Sequence, residues 1–178
     1  MTGIESSLEG RNWNRWRTLM WSGALMLLLL PALAMQFTSE VQWDETDFLV
    51  FAVMLAAACG AIEVASRLSE NGSYRMAAII ATGVSFLTVW ANLAVGMIGS
   101  EENPFNLLFG AVLACALIGA VLVRFQARGM AVVMLVAAAA QLALAAIGHA
   151  SDPRGGTFSM VFAVPWLLSA ALFRRAGR

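Results

Sequence analysis

Three residues in two predicted loops carry side chains that could bind a cation. Glu101 and Glu102 lie in one loop, and His149, the only histidine of the chain, begins another. Carboxylate oxygens and a neutral imidazole together form a ligand set that zinc or manganese accepts in proteins. The alternative is that the three residues are ordinary solvated loop residues that bind no ion. The sequence therefore leaves Glu101, Glu102 and His149 as a candidate ion-binding site, with no metal assigned.

Four polar residues lie inside or at the ends of long apolar segments. Asn92 and Gln141 each lie about 10 Å from the nearest predicted loop at the 1.5 Å rise of a helix, so they could hydrogen-bond to each other and fix which helices meet. Glu63 precedes Arg67 by four residues, a spacing that favours an ion pair whose ends reach the membrane interface. A proton or cation relay at Glu63 is the alternative. We predict that all four residues make polar contacts between helices.

The chain has no recognisable catalytic set. His149 has no Ser or Cys partner at its depth, and no pair of acids lies within the apolar segments. The absence of lysine excludes a lysine Schiff base, and Cys59 and Cys115 are too far apart to form a CxxC motif. We therefore predict no catalytic residue and no cofactor, and enzyme activity is the less expected outcome.

The elements that position these residues are six apolar segments. Apolar residues make up 60% of the 178 residues and charged residues 12%, with a mean hydropathy of +0.76, whereas a soluble domain carries roughly 25% charged residues. We predict an all-α, polytopic membrane bundle of six transmembrane helices. The predicted spans are 18–37, 48–66, 76–98, 105–123, 130–148 and 158–173. Residues 1–17 form a cytoplasmic or interfacial segment, 18–173 the membrane domain and 174–178 a cytoplasmic tail.

Arginine distribution predicts the orientation. With both termini in the cytoplasm, ten of the eleven arginines fall on the cytoplasmic side and Arg154 alone lies outside, as the positive-inside rule requires. Each pair of spans also repeats the order Arg, span, Ser-acid, span, Arg, which would make three similar hairpins. Ordinary topology and turn composition could produce the same repeat.

The loop sequence WANLAVGMIGSEENP, residues 90–104, resembles that of a family of small uncharacterised bacterial multi-span inner-membrane proteins. The similarity extends from the first to the fifth span and is weakest in the sixth. In that family the loop carries Asp at the position of Glu102. The resemblance implies a bacterial inner-membrane location and the same topology, but no activity, cofactor or partner.

Two functional classes fit these observations. One is an accessory or scaffold subunit that binds other membrane components, and short loops without a soluble domain favour it. The other is a small cation transporter or channel with an acidic outer mouth. The expected partners are the lipid bilayer and other membrane proteins or a second copy of the chain, and nothing in the sequence indicates nucleic acid.

Overall fold

The computed structural model describes the backbone of residues 3–178 and the side chains of residues 15–178. The side chains of residues 1–14, which belong to the predicted interfacial segment, lie outside the described residues. Seven α-helices and one 3-10 turn make up the described chain. They are α1 (Gly3–Phe37), α2 (Glu45–Leu68), α3 (Gly72–Ala94), the 3-10 turn (Pro104–Asn106), α4 (Leu107–Leu122), α5 (Ala127–His149), α6 (Pro153–Val161) and α7 (Ala163–Ala176).

Six helical segments of the described chain are long and apolar enough to cross a membrane, and α6 with α7 forms the sixth. The predicted all-α bundle with six such helices is confirmed. The chain forms two compact units, residues 1–63 and 64–178. The first contains α1 and most of α2, and the second contains the end of α2 and the remaining helices.

Short polar side chains begin several of these helices. Asp44 and Asp47 accept hydrogen bonds from each other's backbone N–H groups at 2.9 and 3.0 Å across the first turn of α2, a reciprocal arrangement that satisfies donors that the helix leaves free. Asn71 accepts from the N–H groups of Ser73 and Tyr74 at the start of α3. Asp44 therefore caps α2 together with Asp47 in its first turn.

The third span ends earlier than predicted. We expected it to reach residue 98, because Met97 and Ile98 continue the apolar pattern, but α3 ends at Ala94. Gly96 then adopts φ 74° and Gly99 φ 71°, a left-handed conformation that ends a helix and favours glycine. Met97 and Ile98 are nevertheless 1% exposed, so the chain turns back into the protein at this point.

The sixth span is longer than predicted and is interrupted. It begins at Pro153 rather than near residue 158, and its helix breaks at Phe162. Pro165 has no N–H group to donate to the carbonyl of Val161, four residues earlier. Val161 is the last residue of α6. The proline therefore accounts for the division into α6 and α7.

The core of residues 64–178 is built around α5. This helix packs against α4, α6 and α7. Ala137, Ala138 and Ala145 are 0 to 3% exposed, and their small size lets neighbouring backbones approach closely. Trp166 and Phe173 of α7 fill the space that remains.

Candidate functional site

Several side-chain hydrogen bonds hold the α3–α4 loop, residues 95–106. Asn106, at the end of the 3-10 turn, accepts hydrogen bonds from the N–H groups of Met97 at 3.2 Å and Ile98 at 2.9 Å. Its amide nitrogen donates to the carbonyl of Ser100 at 2.8 Å. The Asn106 side chain, itself 6% exposed, therefore satisfies two buried backbone donors and one backbone acceptor. Buried backbone groups without such partners would be costly.

Asn103 completes the inner side of this loop. Its amide nitrogen donates to the carbonyl of Ile98 at 3.0 Å, and its carbonyl oxygen accepts from Phe105 N–H at 3.0 Å. Asn103 therefore caps the 3-10 turn that begins at Pro104. Gly96 permits the arrangement because a Cβ at that position would lie 2.5 Å from Ser100 O and 2.8 Å from Asn106 Nδ2.

Asp152 connects this loop to the start of α6. One carboxylate oxygen accepts from Gly99 N–H at 2.8 Å, and the other accepts from the N–H groups of Arg154 and Gly155 at 3.1 and 3.0 Å. The N–H donors of Gly155 and Gly99, in that order, lower the pKa of Asp152, with smaller contributions from the backbone and charge of Arg154. The carboxylate therefore caps α6 and links two loops in its ionised form.

A second connection lies deeper, among buried groups. Ser159 Oγ of α6 donates to the carbonyl of Met97 at 3.1 Å, and Gln141 Nε2 of α5 donates to the carbonyl of Ser159 at 3.1 Å. Ser159 and Gln141 are both 0% exposed. The chain of bonds from α5 through α6 to the loop fixes the three segments at one depth.

Close packing supports the same connection. A Cβ added at Gly148 would lie 2.5 Å from the side chain of Ile98, and one added at Gly155 would lie 2.7 Å from the carbonyl of Met97. The two glycines therefore let α5 and α6 approach the folded-in loop. The arrangement closes this end of the bundle through backbone contacts.

The structure does not group Glu101, Glu102 and His149 into a cluster that could hold a metal ion. All three residues are exposed, and no group of three His, Cys, Asp or Glu residues within the described part of the chain could hold a metal ion. The acids lie at the tip of the α3–α4 loop, whereas His149 is the last residue of α5. The carboxylate that joins two loops is Asp152, and its partners are backbone N–H groups.

The amides of Asn92 and Gln141 do not pair with each other as predicted. Asn92 Nδ2 donates to the carbonyl of Thr88 in its own helix at 2.7 Å, and Gln141 donates to Ser159 in α6. Asn92 Oδ1 and Gln141 Oε1 are both buried without a hydrogen-bond partner. Gln141 therefore makes a contact between helices, as expected of it, but with a different helix, and Asn92 bonds within α3.

Glu63 has an ion-pair partner that we did not predict from the sequence. Its Oε1 lies 3.1 Å from Nη2 of Arg17, with the two side chains 13% and 40% exposed respectively. Arg17 precedes the first span and Glu63 lies near the end of the second, so both fall at the same end of a hairpin. Comparing depths across the hairpin would have predicted this pair. Arg67, the expected partner, is exposed at the end of α2, and its pairing with Glu63 stays a prediction.

Sequence reasoning also missed Asn106, Asp152 and Ser159 as joining residues. Asp152 precedes a proline, which is a signal for a helix cap, but its bond to Gly99 spans 53 residues and has no local signal. Asn106 looked like part of the fourth span, because the apolar run begins at the residue before it. Its position next to a predicted turn was the available clue.

No known protein family, curated protein or solved structure matches the chain. The resemblance to small multi-span inner-membrane proteins remains a prediction. The fold defines the protein as an all-helical bundle with six helices of membrane-spanning length and composition.

Proposed function

We propose that this protein is an accessory or scaffold subunit of the bacterial inner membrane, with both termini in the cytoplasm, and that it binds other membrane proteins through α4. The orientation is supported by the arginine distribution, with ten of eleven on one side. The binding role is supported chiefly by the small-residue face of α4.

The small-residue face of α4 consists of Gly110 and Ala114, one turn apart and both exposed. No atom outside the helix lies within 4 Å of a Cβ built at Gly110. On the opposite side of the helix, Phe109, Val112, Ala116 and Ala120 are buried against the bundle. Small residues four apart let two helix backbones approach closely, and such contacts drive helix association in membranes, where lipid is as apolar as the side chains.

The interlocked α3–α4 loop supports the same role because it makes the start of α4 rigid. Asn103 and Asn106 fix the 3-10 turn that leads into the helix. A surface presented by a rigid element loses less conformational freedom when a partner binds. We infer that α4 is presented to a partner helix in a fixed orientation.

Site-specific photo-crosslinking in native membranes tests this function. A photoreactive residue at Leu117, which is 65% exposed on α4, should give discrete protein adducts. Ala114→Leu should abolish them because its bulk separates the helices. Ala171→Leu is the matched control, since this exposed alanine lies in α7 beside the large side chains of Leu167 and Leu168. Adducts that are absent, or that persist equally in both variants, would contradict the proposal.

A small cation transporter is the second candidate function, and one observation favours it. The carbonyl oxygens of Asn92 and Gln141 are buried without hydrogen-bond partners, and amide oxygens are ligands for hard cations. Cation flux into liposomes containing the purified protein tests this alternative. Flux that Asn92→Leu and Gln141→Leu both abolish would favour transport over the scaffold role.

A further inference from the structure

A groove of about 490 Å³ runs along one face of α1. It is lined by Arg17, Thr18, Trp21, Ser22 and Leu25, whose spacing follows the turns of a single helix. From Arg17 to Leu25 the groove extends about 12 Å at the helical rise of 1.5 Å per residue. Its chemistry changes along this length from a guanidinium through hydroxyls and an indole to an aliphatic side chain.

Arg17 is held in place but retains donors for an anion. Glu63 lies 3.1 Å from its Nη2 atom, while the guanidinium carries five N–H donors in a rigid fork. Its Nε atom is buried without a hydrogen-bond partner, whereas the side chain as a whole is 40% exposed. The ion pair thus orients the guanidinium without using all of its donors.

We propose that this groove binds the headgroup of an anionic phospholipid, with the phosphate at Arg17 and the start of an acyl chain along Leu25. Charge complementarity supports this occupant, because among the described side chains near this end of α1, Arg15 and Arg17 outnumber Glu63, the acid that pairs with Arg17. Guanidinium and hydroxyl donors suit phosphate oxygens. Trp21, 41% exposed, supplies the amphipathic ring that favours the headgroup layer. The order of groups along the groove matches the order along a phospholipid.

Native mass spectrometry of the purified full chain in detergent tests the proposal. With equal amounts of phosphatidylglycerol and phosphatidylcholine, the protein should retain the anionic lipid preferentially. Arg17→Gln should reduce this preference about fivefold, the effect of one basic group near an anionic lipid surface. Arg178→Gln makes the same charge change outside the groove and should leave the preference intact.

A second variant keeps the Arg17–Glu63 ion pair and guards against misfolding. Ser22→Ala removes a hydroxyl of the groove and should also reduce the preference for phosphatidylglycerol. Inorganic phosphate should fail to displace the lipid, because it offers no apolar part for Leu25. Equal retention of the two lipids, an unchanged preference in both groove variants, an equal loss in Arg178→Gln, or displacement by free phosphate would overturn the proposal.

Discussion

Replacing Asn106 by alanine is the most direct test of how the α3–α4 loop is held. The change removes the oxygen that accepts from Met97 N–H and Ile98 N–H and the nitrogen that donates to Ser100. Met97 and Ile98 are 1% exposed, so water cannot readily replace the lost acceptor. The variant therefore leaves two buried backbone donors without partners.

The expected loss of stability follows from those two donors. A buried donor left unsatisfied costs about 1–3 kcal/mol, so Asn106→Ala could cost about 2–6 kcal/mol before the loop relaxes. Relaxation and water entry favour the lower half of that range, and we expect about 3 kcal/mol. Asn71→Ala is the matched control, because Asn71 also accepts from two backbone N–H groups, those of Ser73 and Tyr74. It lies at an exposed helix start, where losing a cap costs about 1 kcal/mol.

Reversible unfolding in mixed detergent micelles, followed by circular dichroism, would measure both variants against the parent protein. The expected order of stability is parent, Asn71→Ala, then Asn106→Ala. If Asn106→Ala loses no more free energy of unfolding than Asn71→Ala, the buried bonds of Asn106 do not determine the loop, and the reasoning fails.

Three other changes test separate parts of the fold. Gly96→Ala should lower the free energy of unfolding by about 2 kcal/mol. A left-handed backbone costs an L residue about 1–2 kcal/mol, and the new Cβ would clash with the carbonyl of Ser100. Gly110→Ala is the control, because there is open space at its Cβ, and it should not be destabilising in the same melts. The pKa of Asp152 is lowered, so the stability that its carboxylate contributes is complete above the ordinary pKa and is lost as pH falls through the lowered value. Asp152→Asn should therefore flatten the fall of melting temperature from about pH 5 to about pH 2. An unchanged slope would refute this. Asn92→Leu and Gln141→Leu should be additive within about 0.5 kcal/mol in a double-mutant cycle, because the two amides have separate partners; a larger coupling would restore the predicted pair.

The sequence predicted the helices well because their signals are local. An apolar run of about 20 residues must be helical within lipid, where every backbone group needs an internal partner. The caps of α2 and the Asn103–Pro104 turn were also readable, since a cap bonds to N–H groups two or three residues away. Even so, the end of α3 was placed four residues late, because the apolar side chains of Met97 and Ile98 conceal the turn made at Gly96.

The contacts between segments were harder to predict because depth alone does not identify partners. Asn92 and Gln141 were matched by depth, yet a buried amide can bond equally well to a backbone carbonyl of any adjacent helix. For Glu63 the local spacing indicated Arg67, but it gave no sign of Arg17, whose Nη2 the structure places 3.1 Å from Glu63 Oε1. Depth in one case and local spacing in the other offered a plausible partner, and only the helix arrangement shows which other groups come within bonding distance.

The side-chain bonds that join segments within residues 64–178 go mainly to backbone carbonyls, and this explains why complementary side chains are poor guides to the fold. Ser169 of α7 donates to the carbonyl of Ala77 in α3 at 2.9 Å, and Tyr74 Oη of α3 donates to the carbonyl of Phe125 at 2.8 Å. Every residue supplies such a carbonyl, so the acceptor leaves no trace in the sequence. A hydroxyl on a helix face therefore predicts that another backbone comes close, but it cannot say which one.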